Sequence, residues 1–486
     1  MKTTNIRRTA LTLSVLACGS LVAQNNKTET KKFNVLFIAS DDLANTMQTF
    51  NNPDVKTPNL ERLAKRGVVF NYSHCQFPLS GPSRASIMTG MRPDETQVFD
   101  LVASFRTPHP EAQTLPELFK NNGYYTARVG KIFHAGVPGD IGLDGHDDAQ
   151  SWMVRFNPIG RDKTEEHLIT NYTPQRDFNG KIGSTLSFMS MDARDAELTD
   201  GMVANTAVKV MRDILRWEDK PFFVAAGFYR PHCPYIAPKE YFEMYPIETI
   251  KMPERRANDW DNKPLAAMFT DPLNWGLTET QQKEVVQSYY ASITFMDAQI
   301  GKLLDGLDEL GIADNTIIVF WSDHGYNIGH HGQWMKQSLF DQVTRTPMII
   351  SIPGMKANGK DTDNHVEMID IYPTIAEACG LTVSANVQGV SLKPILENVN
   401  INWNRPAFTQ VQRVKKQSDS NKRKTFFGRT VRYGNLRYTE WDEGREGVEL
   451  YDYSVDPNEF NNLADDKKHK QQQVNLQKML HDSYTN

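Results

Sequence analysis

Asn34-Val35-Leu36-Phe37-Ile38-Ala39-Ser40-Asp41-Asp42 is the stretch on which the fold turns. The run from Asn34 to Ala39 is short, apolar and rich in strand formers. A strand covered on both faces of a parallel sheet reads this way. It ends in two adjacent carboxylates. In an open α/β sheet ligands sit beyond the carboxyl ends of the strands, so Asp41 and Asp42 stand where a site belongs. Adjacent like charges are costly unless a cation offsets them. One Asp commonly caps a helix, but two in succession after a buried strand favour a metal.

The same pattern recurs along the chain. Strands are expected at 68–70, 124–129, 221–228, 316–321 and 347–352. Helices are expected at 59–65, after the Thr114/Glu117 capping box, at 202–217, at 279–310 before Gly311, and at 365–378. This alternation predicts an α/β fold, a large mostly parallel sheet flanked by helices. Residues 136–200 are rich in Gly, Asp, Asn and Pro without clear periodicity. They read as a long insertion of loops around the mouth of the site. A polar, basic stretch near 413–424 marks a boundary between a main domain at 31–412 and a small C-terminal subdomain at 425–486. That subdomain is expected to hold a hairpin over Gly434-Asn435, a strand at 449–452 and a final helix near 467–481.

Composition excludes some roles. The chain has 486 residues and a formal net charge of −5, which argues against nucleic acid as a partner. No apolar run after residue 30 is long enough to cross a bilayer. Lys2, Arg7 and Arg8 before an apolar run and small residues read as a secretory signal over 1–23, implying a bacterial periplasm. Lipid anchoring through Cys18 is the alternative, which Leu16 fits poorly. Residues 24–31 read as a flexible polar lead. Cys75, Cys233 and Cys379 are too few and too odd in number for a disulfide framework.

Further chemistry gathers around Leu79-Ser80-Gly81-Pro82-Ser83-Arg84. Gly81 and Pro82 read as a turn, and 83–89 as a short helix stopped by Gly90. Ser80 then lies at the positive end of a helix, with Arg84 one turn on along the same face. A hydroxyl, free N–H groups and a guanidinium together suit an oxyanion. An ordinary capped helix with a solvated arginine is the plainer alternative. Lys131 and His134 follow one strand, and His232 lies between prolines after another. Asp323 and His324 end a third, with Lys336 a little beyond. Cys75 reads as a small buried apolar residue.

The segment Ser80-Gly81-Pro82-Ser83-Arg84 resembles the active-site signature of type I sulfatases, in which a Cys or Ser is oxidised to formylglycine. The resemblance runs from Asn34 to about Leu463 and is nearest to the iduronate-2-sulfatase-like branch, on 130–136, 323–334 and 429–441. It implies the alkaline-phosphatase-like fold with a C-terminal antiparallel sheet. It implies Ca2+ held by Asp41, Asp42, Ser80 (as formylglycine), Asp323 and His324, with Asp323 the firmer ligand on chemistry alone because calcium prefers oxygen. It also implies sulfate contacts from Arg84, Lys131 and Lys336, a proton from His232 to the leaving alcohol, and help from His134 to the hydrated aldehyde.

The partners implied are a sulfated saccharide and a serine-type sulfatase-maturating enzyme. The activity implied is hydrolysis of sulfate esters in a sulfated glycan, 2-O-sulfated uronic acids included. Two alternatives stand beside it. One is a phosphomonoester or phosphodiester hydrolase of the same superfamily using unmodified Ser80. The other is a secreted protein that binds sulfated glycans without catalysis.

Overall fold

The structure, a computed structural model, describes Met1 and residues 32–50, 52–177, 180, 182–416 and 423–484. The expected signal, Cys18 and residues 24–31 lie outside the described residues. Phe33–Asn486 forms one compact unit. Among the described residues no helix is long and apolar enough to cross a membrane.

Eight strands build the main sheet: β1 (Asn34–Ser40), β2 (Val68–His74), β3 (Tyr125–Gly130), β4 (Val154–Phe156), β5 (Phe222–Gly227), β6 (Thr316–Ser322), β7 (Arg345–Ser351) and β8 (Lys360–Glu367). Their spatial order is β8-β2-β7-β6-β1-β5-β3-β4. All run parallel except β7, which is antiparallel to both its neighbours. Alternation along β1 feeds two cores. Leu36 and Ile38 pack on one face with helices α4 (Thr199–Trp217) and α5 (Glu279–Glu309). Val35, Phe37 and Ala39 pack on the other with α2 (Ser80–Thr89), α3 (Leu115–Asn121) and α6 (Ile371–Ala378). Helix α1 (Pro58–Ala64) lies against α5 on the first face.

The structure revises three expectations. Helix α2 begins at Ser80 rather than residue 83, closed by the Ser83 N–H on the Leu79 carbonyl. A proline needs no N–H acceptor in a first turn, so Pro82 does not delay the start. Residues 360–367 form the edge strand β8, so the helix expected from residue 365 begins only at Ile371. Their polar look is that of an edge strand with one face exposed. Residues 136–200 contain more than loops: β4 extends the main sheet, and Thr170–Asn171 pairs with Ser187–Met191 in a small sheet.

The C-terminal sheet is antiparallel and contains β9 (Ala407–Lys416), β10 (Arg423–Tyr433), β11 (Leu436–Trp441) and β12 (Val448–Asp452). It begins at Ala407, so its first strand precedes and enters the 413–424 stretch. The Gly434-Asn435 hairpin and the last helix, α7 (Lys470–Tyr484), form as expected. This sheet braces the main domain: the Gln410 N–H donates to the Gln76 carbonyl just before α2.

Candidate active site

Register places the functional residues. Ser40 pairs with Ser322, Ala39 with Gly227, and Gly227 with Gly130. Asp41, Asp323 and Lys131 therefore leave neighbouring strands at one level. Gly130 has φ +76, and a Cβ on Gly227 would stand 1.8 Å from the Lys131 carbonyl oxygen. Only the missing side chains let the chain turn Lys131 inward. Asp42 takes φ +62, a conformation that Asp tolerates better than most residues. The Tyr289 hydroxyl on α5 donates to the Asp42 carbonyl at 2.8 Å and accepts from the Ala44 N–H at 2.9 Å.

Three carboxylates and three cations meet here, all buried except Lys336, which is half-buried. Lys131 Nζ donates to Asp41 Oδ2 at 2.5 Å, and Lys336 Nζ to Asp42 Oδ1 at 2.6 Å. Arg84 donates through Nε to Asp323 Oδ2 and through Nη2 to Asp41 Oδ1. Its remaining donors go to the carbonyls of Ser40, Lys131 and Ile132, so the guanidinium is fully engaged by the protein. Burial pushes the Asp41 carboxyl up, but Lys131 and Arg84 outweigh it and hold it far below the usual range. Burial, with Asp41 and Asp323 nearby, raises Asp42 against the pull of Lys336. Burial opposes ionisation of Asp323 too, yet His324 and Arg84 hold it to about 2.

The donor set fits a metal ion. Ligand atoms of Asp42, Asp323 and His324 lie within 4.8 Å of one another, as do those of Asp41, Asp42 and His232. Asp42 Oδ2 is buried with no hydrogen-bond donor. His324 Nδ1 donates to the Gly325 carbonyl at 2.9 Å, which turns Nε2 toward the carboxylates, 3.4 Å from Asp42 Oδ1, where a metal ion would take the place of its proton. Counted formally, the three carboxylates balance the charges of Lys131, Lys336 and Arg84. A divalent ion added to the cluster creates the net positive charge an anionic substrate needs.

Ser80 joins this cluster. Its Oγ lies 3.3 Å from Asp41 Oδ1 and 3.3 Å from His324 Nε2, at the first residue of α2. Cys75 is buried, and its thiol pKa is pushed well up by burial, so it is no rival nucleophile.

Comparison with known proteins matches this picture. The Sulfatase family profile matches residues 33–381, and a C-terminal profile named for N-sulphoglucosamine sulphohydrolase matches 329–486. The chain belongs to the sulfatase family. A sulfatase of Formosa agariphila is 31% identical over 485 residues, covering 97% of this chain and 90% of that protein. Iduronate 2-sulfatase of Mus musculus is 31% identical over 401 residues, covering 74% and 71%. The phosphonate monoester hydrolase of Agrobacterium radiobacter shares the fold, with a TM-score of 0.75 at 22% identity over 93% of this chain and 95% of that one. The present sulfatase is thus a sulfuric ester hydrolase of alkaline-phosphatase-like fold.

Above the cluster the sulfatase opens a cavity of about 220 Å³, lined by His134, His232 and Lys336 on its inner side and by Arg176, Ser184 and Phe269 on its outer side. Burial, with Lys131 nearby, lowers His134 to about 2. Burial, with Lys336 nearby, lowers His232 well below its ordinary value. Both are neutral here. His331 hydrogen-bonds Asp259 at 3.0 Å and supports the loop before Lys336. Tyr289, Gly227 and Arg176 escaped the sequence reading, and Gly130 was read only as part of the segment leading to Lys131 and His134. A glycine at each of two neighbouring strand ends was the one available signal.

Proposed function

We propose that this sulfatase cleaves sulfate esters of a sulfated glycan, 2-O-sulfated uronic acid such as iduronate 2-sulfate among them. The reactive group is a formylglycine made from exported Ser80 by a serine-type maturating enzyme. The observation that carries this is the position of Ser80 Oγ, 3.3 Å from both Asp41 and His324 in a buried acid cluster. The bases within reach of that serine, His324 Nε2 and Asp41 Oδ1, are the same atoms that would ligate a metal, so a bound ion would leave none free to activate it. Oxidation removes that need. The hydrated aldehyde supplies one hydroxyl to displace the alcohol from sulfur and a second whose deprotonation releases sulfate.

Asp41, Asp42, Asp323 and His324 would hold Ca2+, which supplies charge that favours an ionised hydroxyl at position 80. Arg84 holds Asp41 and Asp323 in place rather than touching the sulfate. Lys131 and Lys336 balance charge on the sulfuryl oxygens. His232 lines the cavity with Nδ1 donating to the Cys233 carbonyl. Nε2 is then the nitrogen left to serve the leaving oxygen, and it does so only after taking up a proton, which the negative charge of a bound sulfate ester favours. His134 assists from the opposite wall. The likeness in fold to a phosphonate hydrolase supports a second reading, phosphoester hydrolysis by unmodified Ser80.

A sulfate-release screen over sulfated mono- and disaccharides tests the proposal, using protein co-expressed with a serine-type maturating enzyme. Release is expected from the matured protein and none from Ser80→Ala. Binding without release supports a glycan-binding protein instead.

A further inference from the structure

The outer wall of the cavity carries a cation that the hydrolysis itself does not use. The Arg176 guanidinium lies over the Trp275 ring, 4.0 Å from its centroid, and 5.4 Å from that of Phe269. Its Nε–H donates to the Ser184 carbonyl at 3.3 Å, and the Ser184 hydroxyl returns a bond to the Arg176 carbonyl at 2.9 Å. Stacking and hydrogen bonding fix the plane of the side chain while it stays half-buried.

That platform is built at a cost in backbone strain. Asn274 and Trp275 take φ +56 and +47, each a left-handed conformation that non-glycine residues rarely adopt. They are held there by the Trp334 Nε1–H, which donates to Asn274 Oδ1 at 3.1 Å. Gln333 Oε1 accepts from the N–H groups of Phe269 and Thr270 at 2.8 and 2.7 Å. Residues 333 and 334 lead directly into Lys336. The surface under Arg176 is therefore hung from the segment that carries the inner lysine, which fixes the two cations relative to each other.

Resting on the hydrolase reading above, we propose that Arg176 is a specificity residue that binds a second anionic group on the sugar whose sulfate is removed. A guanidinium presents paired donors that match a carboxylate or a second sulfate. The preferred substrate is then a saccharide carrying two negative charges close together, while a neutral monosulfated sugar offers Arg176 no second anion. Asp177 also lines the cavity and accepts the Ile182 N–H, so one of its oxygens is engaged by the loop itself.

The test is the ratio of kcat/KM for paired substrates on the matured protein. The pairs are a 2-sulfated uronic acid against a neutral monosulfated hexose, and a disulfated hexosamine against the same hexose. Arg176→Gln is expected to lower one or both ratios about 10- to 100-fold, mainly through KM, and Arg176→Lys to recover part of the loss. The arm that falls names the anion as carboxylate or sulfate. General structural damage would lower turnover of every ester and leave the ratios unchanged. Unchanged ratios overturn the proposal, even if the wild type turns over the hexose and the hydrolase reading stands. If no ester is cleaved, that reading fails. Calorimetric binding of the same sugars with and without Arg176→Gln then decides the anion preference.

Discussion

Arg84 and Asp323 meet through an Nε–H···Oδ2 hydrogen bond of 2.9 Å, with neither side chain exposed and 239 positions of chain between them. The bond ties the first turns of α2 to the end of β6. Removing either partner leaves an uncompensated buried charge, which costs far more than the pair itself contributes. Arg84→Ala is expected to lower stability by about 3–5 kcal/mol. Thermal unfolding checks this. An unchanged Tm would show that Arg84 does not organise the carboxylates.

A cation held by the same cluster would add to stability. A ligand that binds only the folded chain stabilises it by about 2.7 kcal/mol at a concentration 100 times its Kd. Chelation is expected to lower Tm and added Ca2+ to restore it, while Asp323→Ala abolishes both the response and turnover. A melting curve indifferent to chelator and to Ca2+ would contradict the assignment of Asp41, Asp42, Asp323 and His324 as ligands.

Gly227 holds Lys131 in place through lack of a side chain. A Cβ there would lie 1.8 Å from the Lys131 carbonyl oxygen and 2.3 Å from its carbon, both backbone atoms that cannot swing away. Gly227→Ala should destabilise the protein by about 1–3 kcal/mol or more and lower turnover by displacing the β3 end. Turnover at the wild-type level would show that Lys131 is not set by this contact.

Stability should also depend on pH at a position far from the catalysis. Asp297 on α5 accepts the N–H groups of Asn59 and Leu60, capping α1 where Thr57 makes no side-chain cap. Burial pushes its carboxyl up to about 6 from an ordinary 3.8. The folded state therefore keeps a proton that the unfolded chain has lost. The stability this group contributes is complete below pH 3.8 and declines as pH rises through 6. The decline is on the order of 1–3 kcal/mol. Asp297→Asn should flatten that part of the profile, measured as the difference in stability from wild type between acidic and neutral pH. Parallel profiles would count against the raised value.

Much of the fold was legible because buried parallel strands write themselves as unbroken apolar runs, as Asn34 to Ala39 does. The strand-end residues Asp41, Asp42, Asp323 and Lys131 could be placed together once the strands were recognised. Edge strand β8 could not, because alternating polar residues on an exposed edge look like linker. The contacts of Arg84 were also hidden: residue spacing puts it beside Ser80 but does not reveal that its donors all meet protein acceptors. Arg176 lies within the loop-rich insertion, where no periodicity guides a reading, and its meaning depends on Trp275 and Trp334, distant in the chain.

The most direct measurement compares hydrolysis of a sulfate monoester and a phosphate monoester of one alcohol, by protein made with and without a serine-type maturating enzyme. Sulfate release that appears only after maturation, with the Ser80 peptide lighter by the two hydrogens lost on oxidation, is the expected result. Phosphate release by protein whose Ser80 is unmodified, with no sulfate release after maturation, would contradict it.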